Sequence, residues 1–284
     1  MKIVRLSYYP WITQHISAPE LDKQIRRFAG VLEQELATII AEPTTIEVLP
    51  PLDVPDQIKQ LVSGDADLAL MNPLGYVFAW RRDSTIQAIA VAQRIIDGKI
   101  GTTYFAQLYT NRRTGISDIN QAKGGSLAFG VRFSTSNFLV PALELKNRGL
   151  HPLTAFSSVT FLGGHDKVAT AVYEGKVDIG AGHDGAIIDL SNQDGYRDAQ
   201  ECLFRLVRST PIPSDPIVLK SPDTGWAVKM TQALVAASKS DEGKDSLATF
   251  WGKVVGLEAV NPSVYDVLSS ALTSLSLGEA DILA

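Results

Sequence analysis

Short apolar runs alternate with helix-period segments along nearly the whole chain, and that alternation leaves few folds open. "KIVRLSYY" reads as a strand, and "PELDKQIRRFAGVLEQELATII" follows with Leu21, Ile25, Phe28, Leu32, Leu36 and Ile39 at helical spacing. Pro19 stands where a helix start tolerates it. Next come "TIEVL" (strand), "DVPDQIKQLVSG" (helix closed by Gly64), "ADLALM" (strand), the helical "PLGYVFAWRR" and the apolar run "IQAIAVAQ". Such alternation predicts a mostly parallel sheet with helices on both faces.

A second series starts near residue 109. "SLAFGV", "SSVTFLG" and "VDIGAG" read as strands; "NFLVPALELKNRG", "DKVATAVYEG" and "DGAIIDLS" read as the helices between and after them. After "LFRLVRST" and "IPSDPIVLK" the pattern turns helical again in "TGWAVKMTQALVAASK", "KDSLATFWGKVV" and "VYDVLSSALTSL". The two series echo each other. "IKQLVSGDADLALMNPLGYV" and "VATAVYEGKVDIGAGHDGAI" both run helix, glycine, aspartate, short strand and polar loop, matching Gly64 and Asp67 to Gly175 and Asp178. A glycine ends each helix because that position commonly needs a left-handed backbone. In open α/β sheets ligands bind at the carboxyl ends of the strands. The echo therefore predicts two similar lobes whose strand-end loops serve one cleft, with a common βα grammar as the competing explanation.

With 284 residues, the chain has room for one large domain or two lobes. A net charge of −5 argues against nucleic-acid or anionic-membrane binding, so an anion must be held by local dipoles and donors. Cys202 is the single cysteine, which excludes an intrachain disulfide and a cysteine-rich metal site. No apolar run reaches the roughly 18 residues that suggest a membrane span. "MKIVRLSYYP" lacks the features of a signal peptide, leaving a cytoplasmic protein or one whose export signal has been removed.

Four polar loops fall at predicted strand ends. In "RFSTSNFLVP", the hydroxyls of Ser134, Thr135 and Ser136 precede a helix whose free amides and dipole add roughly half a positive charge. The triplet is either an N-cap or an anion site, and capping needs only one hydroxyl. Pro141 fits in or near the first turn of that helix. "FLGGHDKV" places His165 and Asp166 at the next helix start behind two glycines, and "GAGHDGA" places His183 and Asp184 one βα unit later. In "TPIPSDPIV", prolines on both sides of Asp215 fix an extended loop. Taking Ser136, His165 and Asp184 as a catalytic triad lacks a nucleophile elbow, and the His and Asp residues lack metal-ligand spacing. "KGGS" and "LGGH" lack dinucleotide and P-loop spacing, so no cofactor is expected.

These loops, in matching order from about residue 45 to 220, resemble the phosphate/phosphite/phosphonate substrate-binding proteins of ABC importers, the phosphonate-binding group of the type II periplasmic-binding fold. "GDADLALMNPLGYVFA", "RFSTSNFLVPALELKNRG", "GGHDKVATAVYEGKVDIGAG" and "TPIPSDPIV" carry the resemblance, together with the crossover segment around Tyr104. It implies a two-lobed α/β fold closing over a ligand cleft, with lobe 1 as residues 1–106 plus 208–284 and lobe 2 as 107–207. It implies a non-enzymatic protein on the periplasmic or extracellular face of the membrane, its signal peptide removed, that delivers a phosphorus oxyanion to an ABC permease. Ser134, Thr135, Ser136, His165 and Tyr104 would bind the anion, with Asp215 at its far side. Asp184, Asn72 and Tyr9 are further candidates, and Tyr8, Trp11 and Tyr76 are first-lobe aromatics that a core role also explains.

The chain departs from the family pattern at three places. Asn137 stands where glycine is usual, and an aromatic residue that some members carry near Val54 is missing. Gly185 stands where aminoalkyl-phosphonate binders carry a carboxylate, which favours phosphite, methylphosphonate or phosphate at least as well as 2-aminoethylphosphonate. The same fold also serves as the sensing domain of regulators, and a few relatives are enzymes acting on thiamine precursors. Cys202, in the apolar "CLFRLV", is a poor nucleophile for the latter.

Overall fold

The structure is a computed structural model that describes residues 1–10 and 16–283. It begins with β1 (Lys2–Ser7), α1 (Ala18–Ile39), β2 (Thr44–Val48), α2 (Val54–Ser63), β3 (Leu68–Leu70), α3 (Pro73–Arg82), β4 (Ile86–Ile96), β5 (Lys99–Gly101) and the short β6 (Thr103–Tyr104). There follow β7 (Ala106–Asn111), β8 (Ser126–Phe129), a π-helical turn over Thr135–Leu139, α4 (Val140–Asn147), β9 (Ser158–Phe161), α5 (His165–Tyr173), β10 (Ile179–His183), α6 (Ala186–Ser191), α7 (Ala199–Cys202) and β11 (Leu203–Arg208). The chain continues through β12 (Ile212–Pro213), β13 (Pro216–Lys220), α8 (Thr224–Ala237), α9 (Asp241–Phe250) and β14 (Val254–Ala259) to α10 (Asp266–Leu275) and α11 (Glu279–Leu283).

These elements form two compact units, Met1–Thr103 with Pro213–Asp266 (unit 1) and Tyr104–Ile212 with Val267–Ala284 (unit 2). The chain thus passes from one to the other at 103/104 and 212/213, a few residues from the boundaries read in the sequence. Its last segment clusters with unit 2, not with unit 1 as expected from sequence. One bond behind that difference is the ammonium of Lys146 in α4, which donates to the carbonyl of Ser274 in α10.

Both units are sheets flanked by helices, as expected, but the sheets are mixed where mostly parallel ones were predicted. In unit 1 the order is β14-β4-β13-β3-β1-β2, with β5 added to β4. β1 runs parallel to β2 and β3, whereas β13, β4, β5 and β14 enter antiparallel. In unit 2 the order is β11-β7-β10-β8-β9, with β9, β8 and β10 parallel and β7 and β11 antiparallel. β13 runs against both of its neighbours, β3 and β4, and β7 runs against both of its neighbours, β10 and β11, so β4 and β11 keep the direction of the parallel strands.

α1 forms where its spacing predicts. Ser17 caps it by accepting from the Glu20 amide, and Leu21, Ile25, Phe28, Leu32 and Leu36 are buried. This face packs on α8 and α9, with the rings of Phe28 and Phe250 edge to face at 5.7 Å. The strand β14 was hidden in sequence behind the helical pattern of "KDSLATFWGKVV". Gly252 and Lys253 take left-handed φ of 56° and 61° and end the helix, and Val254 to Ala259 then pair with β4. Likewise "IIDGKI" makes the β4–β5 hairpin, its Asp97 and Gly98 supplying the two positive φ values, 51° and 76°, of a tight turn.

The internal echo is structural. Gly64 and Gly175 close α2 and α5 with φ of 82° and 75°. Beyond them Asp67 Oδ2 accepts the Arg5 amide of β1 at 2.8 Å, and Asp178 Oδ2 accepts the Ser126 amide of β8 at 2.7 Å. In each unit the aspartate therefore pins the parallel neighbour of the strand it introduces. No helix among the described residues is long and apolar enough to cross a membrane.

Candidate functional site

The parallel strands β9, β8 and β10 lie side by side in unit 2, so the loops at their carboxyl ends are neighbours. The first two loops are tied by the Gly163 amide, which donates to the Gly130 carbonyl at 3.0 Å. The loop after β8 leads into the hydroxyl triplet. Ser134 Oγ accepts the Asn137 amide at 3.0 Å, and the Leu139 amide reaches the Ser134 carbonyl at 3.1 Å to close a π turn. The hydroxyls therefore belong to this extra turn, and Pro141 enters α4 only behind it. Capping occupies a lone pair of Ser134 and leaves its O–H proton free to donate, so the cap and an anion contact are compatible. Thr135 and Ser136 are buried, and no hydrogen bond among the described residues engages the Ser136 hydroxyl.

The next loop brings His165 to the start of α5, half-buried, with Gly164 before it. His165 Nδ1 accepts the His183 amide at 3.2 Å, so the neutral ring carries its proton on Nε2. Burial, reinforced by the neighbouring His183, holds its pKa well below the usual histidine value, against a smaller opposing pull from Asp189. At neutral pH His165 is thus an uncharged donor. The His183 ring meets it edge to face at 4.6 Å, accepts the Gly185 amide at Nδ1 and turns Nε2 to Asp189 at 3.4 Å. In the third loop the Asp184 amide donates to the Phe105 carbonyl at 2.9 Å. Ala106 of β7 pairs with His183, and Tyr104, two residues earlier, lies in β6 outside this five-stranded sheet. Ser134, Thr135, Ser136, His165 and Asp184 therefore share one edge of unit 2, and Tyr104 precedes β7 in the separate β6.

The remaining candidates lie in unit 1, at the carboxyl edge of β1 and β3. Asn72 follows β3 and caps α3, accepting the Gly75 amide at 2.6 Å. Tyr9 follows β1 and is buried, as is Tyr8, whose hydroxyl donates to Asp22. Desolvation and the nearby Asp22 push the Tyr8 hydroxyl up to about 12. Tyr76 is a core residue, edge to face with Tyr265 at 5.0 Å. Trp11 lies outside the described residues. Asp215, just before β13, is held by Arg94 of β4, Nη2 to Oδ2 at 2.8 Å. Burial raises the Asp215 carboxyl above its ordinary range, outweighing the opposing pull of Arg94.

Sequence reasoning missed three residues that shape these edges. Arg94 pairs with Asp215 from a strand 121 residues away in sequence, and no local signal could find it. Arg132 places its guanidinium 4.3 Å from the centre of the Phe161 ring and 5.9 Å from that of Phe138, and it makes no ion pair among the described residues. Its position two residues before the triplet was the available signal. Asn137, noticed only as a departure, is 1% exposed and donates its side-chain amide to the Ala181 carbonyl of β10. Cys202 is a hydrogen-bond donor to Asp198, and burial pushes its thiol up, away from nucleophilic character. No cluster able to hold a metal ion exists among the described residues.

The chain resembles known proteins over this architecture. It is 28% identical over 148 residues to the phosphate-import protein PhnD of Mycolicibacterium smegmatis, a match spanning 49% of this chain and 45% of that protein, so less than half of the relative's length. PhnD1 from Prochlorococcus marinus in complex with methylphosphonate superposes with a TM-score of 0.75 at 18% identity, covering 97% of this chain and 98% of that one. XAC2383 from Xanthomonas citri bound to chloride ion gives 0.78 at 16% identity, over 96% and 98% of the two chains. At those identities the likeness establishes the fold. The model of the phosphonate ABC-transporter periplasmic substrate-binding family matches residues 12–265, and the chain belongs to that family.

Proposed function

We propose that this protein captures a small phosphorus oxyanion for ABC import, gripping it with the hydroxyls of Ser134, Thr135 and Ser136 and the Nε2–H of His165. One observation carries the proposal. The His183 amide occupies His165 Nδ1, which fixes a neutral donor tautomer beside a turn whose Ser136 hydroxyl has no hydrogen-bond partner among the described residues. A tetrahedral oxyanion offers several acceptors to such a set, and neutral donors in fixed directions discriminate by geometry. Asp184, at the same edge, and Tyr104 of β6 complete the candidate contacts. In unit 1, Asn72, Tyr9 and Asp215 already have cap, core and ion-pair roles, and the proposal rests on none of them.

Ligands without an amine fit better. Gly185 stands where a carboxylate would hold an aminoalkyl chain, and a Cβ there would lie 3.1 Å from His183 Cε1. The printed names of two relatives, phosphate import for one and a methylphosphonate complex for the other, indicate which probes to test first. The partner is an ABC permease, and the site of action is the periplasmic face. Isothermal titration with phosphate, phosphite, methylphosphonate and 2-aminoethylphosphonate tests the proposal. One of the first three should bind tightest, and Ser136→Ala and His165→Ala should each cost about 1–3 kcal/mol. No binding at millimolar concentration, or unchanged affinity in both variants, would overturn it.

A further inference from the structure

We propose that Asn137 is the positioning residue of the oxyanion site, registering the hydroxyl turn to the strand that also orients His165. The inference rests on the site proposed above. Asn137 is tied at its backbone and through its side-chain NH2. Its amide donates to Ser134 Oγ at 3.0 Å, its carbonyl accepts the Gly130 amide at 3.3 Å, and its Nδ2 donates to the Ala181 carbonyl. Its remaining atom, Oδ1, lies 1.5 Å from where a Cβ on Gly130 would stand. Gly130 does not adopt a left-handed φ, so glycine is required there for space and not for conformation. Position 137 has thus grown a side chain into the room that position 130 leaves empty.

The anchor matters because of what else β10 holds. Ala181 accepts from Asn137, and two residues later the His183 amide donates to His165 Nδ1. Both halves of the donor set, the serine turn and the imidazole, are therefore referenced to one short stretch of one strand. Moving the turn relative to β10 shifts the Ser136 hydroxyl away from His165 Nε2–H, and donors that no longer converge on one tetrahedral ion lose cooperation. Asn137 touches no ligand in this scheme and acts through Ser134 and Ser136.

Titration with phosphate and methylphosphonate on a set of variants tests the proposal. Asn137→Gly should weaken both by about ten-fold, as expected when a buried group loses its partner. Asn137→Asp, which faces a carboxylate oxygen to the Ala181 carbonyl, should lose at least as much. Gly130→Ala alone should be the most disruptive, because its methyl collides with Oδ1, and the double variant Gly130→Ala/Asn137→Gly should relieve that clash and bind about as weakly as Asn137→Gly, since it still lacks the anchor to Ala181. His165→Ala should cost less in the Asn137→Gly background than in the parent, since the coupling is already broken. A purely structural Asn137 would lower the unfolding midpoint while leaving the effect of His165→Ala additive, and additivity overturns the inference. Parent-like binding by Asn137→Gly while Ser136→Ala binds poorly also overturns it and leaves the oxyanion site intact. Parent-like binding by both variants removes the site itself.

Discussion

Replacing Asp215 decides whether that residue serves the fold or the ligand. Its carboxylate and the Arg94 guanidinium are 15% and 18% exposed, and their 2.8 Å separation corresponds to about 6 kcal/mol of attraction at an effective dielectric of 20. Desolvating two ions costs several kcal/mol each, in keeping with a carboxyl whose pKa is raised by burial despite its partner. The intact pair is thus near balance, whereas Asp215→Ala leaves Arg94 charged and half-enclosed. The guanidinium keeps the carbonyls of Trp251 and Gly252 and the Ser214 hydroxyl, at 3.1, 2.5 and 3.2 Å. Those three acceptors soften the loss to about 2–4 kcal/mol, and Asp215→Asn, which retains an acceptor oxygen, should lose about 1–2 kcal/mol. Removing both charges with Arg94→Met/Asp215→Leu should cost less than Asp215→Ala. The assay is urea unfolding followed by tryptophan emission, because Trp11, Trp80, Trp226 and Trp251 all fall in the residues of unit 1. Stability of Asp215→Ala within about 0.5 kcal/mol of the parent, with affinity for phosphate reduced, would refute the reasoning and assign Asp215 to the ligand.

Asp178→Ala removes the acceptor of the Ser126 amide and hydroxyl, both at 2.7 Å. Amide exchange at residues 126–129 should quicken about ten-fold or more, and unchanged exchange would show that the aspartate does not pin β8. Acidification should destabilise the protein through His165. Its folded pKa lies below the unfolded value near 6.5, so as pH falls below 6.5 the unfolded chain takes up a proton that the folded ring refuses. Stability from this residue is lost down to the folded pKa, and His165→Gln should flatten that part of the curve between pH 7 and 5, as read by chemical unfolding. Arg132→Gln should lower the association rate for phosphate and its salt dependence in stopped-flow experiments, since it removes a cation beside the triplet; an unchanged salt slope refutes that role.

The fold was legible where its cause is local. Ser17, Pro19 and the apolar spacing of α1 announce that helix, and the Gly64/Asp67 and Gly175/Asp178 echo marks equivalent strand entries. It was illegible where pairing is distant. β14 becomes a strand only through β4, and β13 enters between β3 and β4 from a part of the chain far from both. The candidate site divides in the same way. Three hydroxyls before a helix are visible in the sequence, but their division of labour is not. Only the structure shows that Ser134 caps the turn, that a π turn precedes Pro141, and that His165 is fixed through an amide 18 residues on. The unit 1 candidates suffered most, because cap, core and ion-pair roles arise from partners that sequence order does not reveal.

The proposed site at the carboxyl edge of β9, β8 and β10 also bears on how a chain of net charge −5 could hold an anion. The net charge argues against a general positive field, and a buried lysine or arginine would require a counter-ion whenever the site stood empty. Hydroxyl, amide and neutral imidazole donors avoid that cost, since each can be satisfied by water when no ligand is bound. Their weakness is directional: a neutral donor contributes little unless it is aimed, so the demand moves from charge to geometry. On the proposed function, the interlock of Asn137 with Gly130 and Ala181 and the amide of His183 on His165 would meet that demand. Arg132 fits the same logic from outside the donor set, its charge spread over the faces of Phe161 and Phe138 where no carboxylate is needed to balance it. Under that proposal the strand would supply direction and the arginine long-range attraction, so affinity and association rate should respond to different residues.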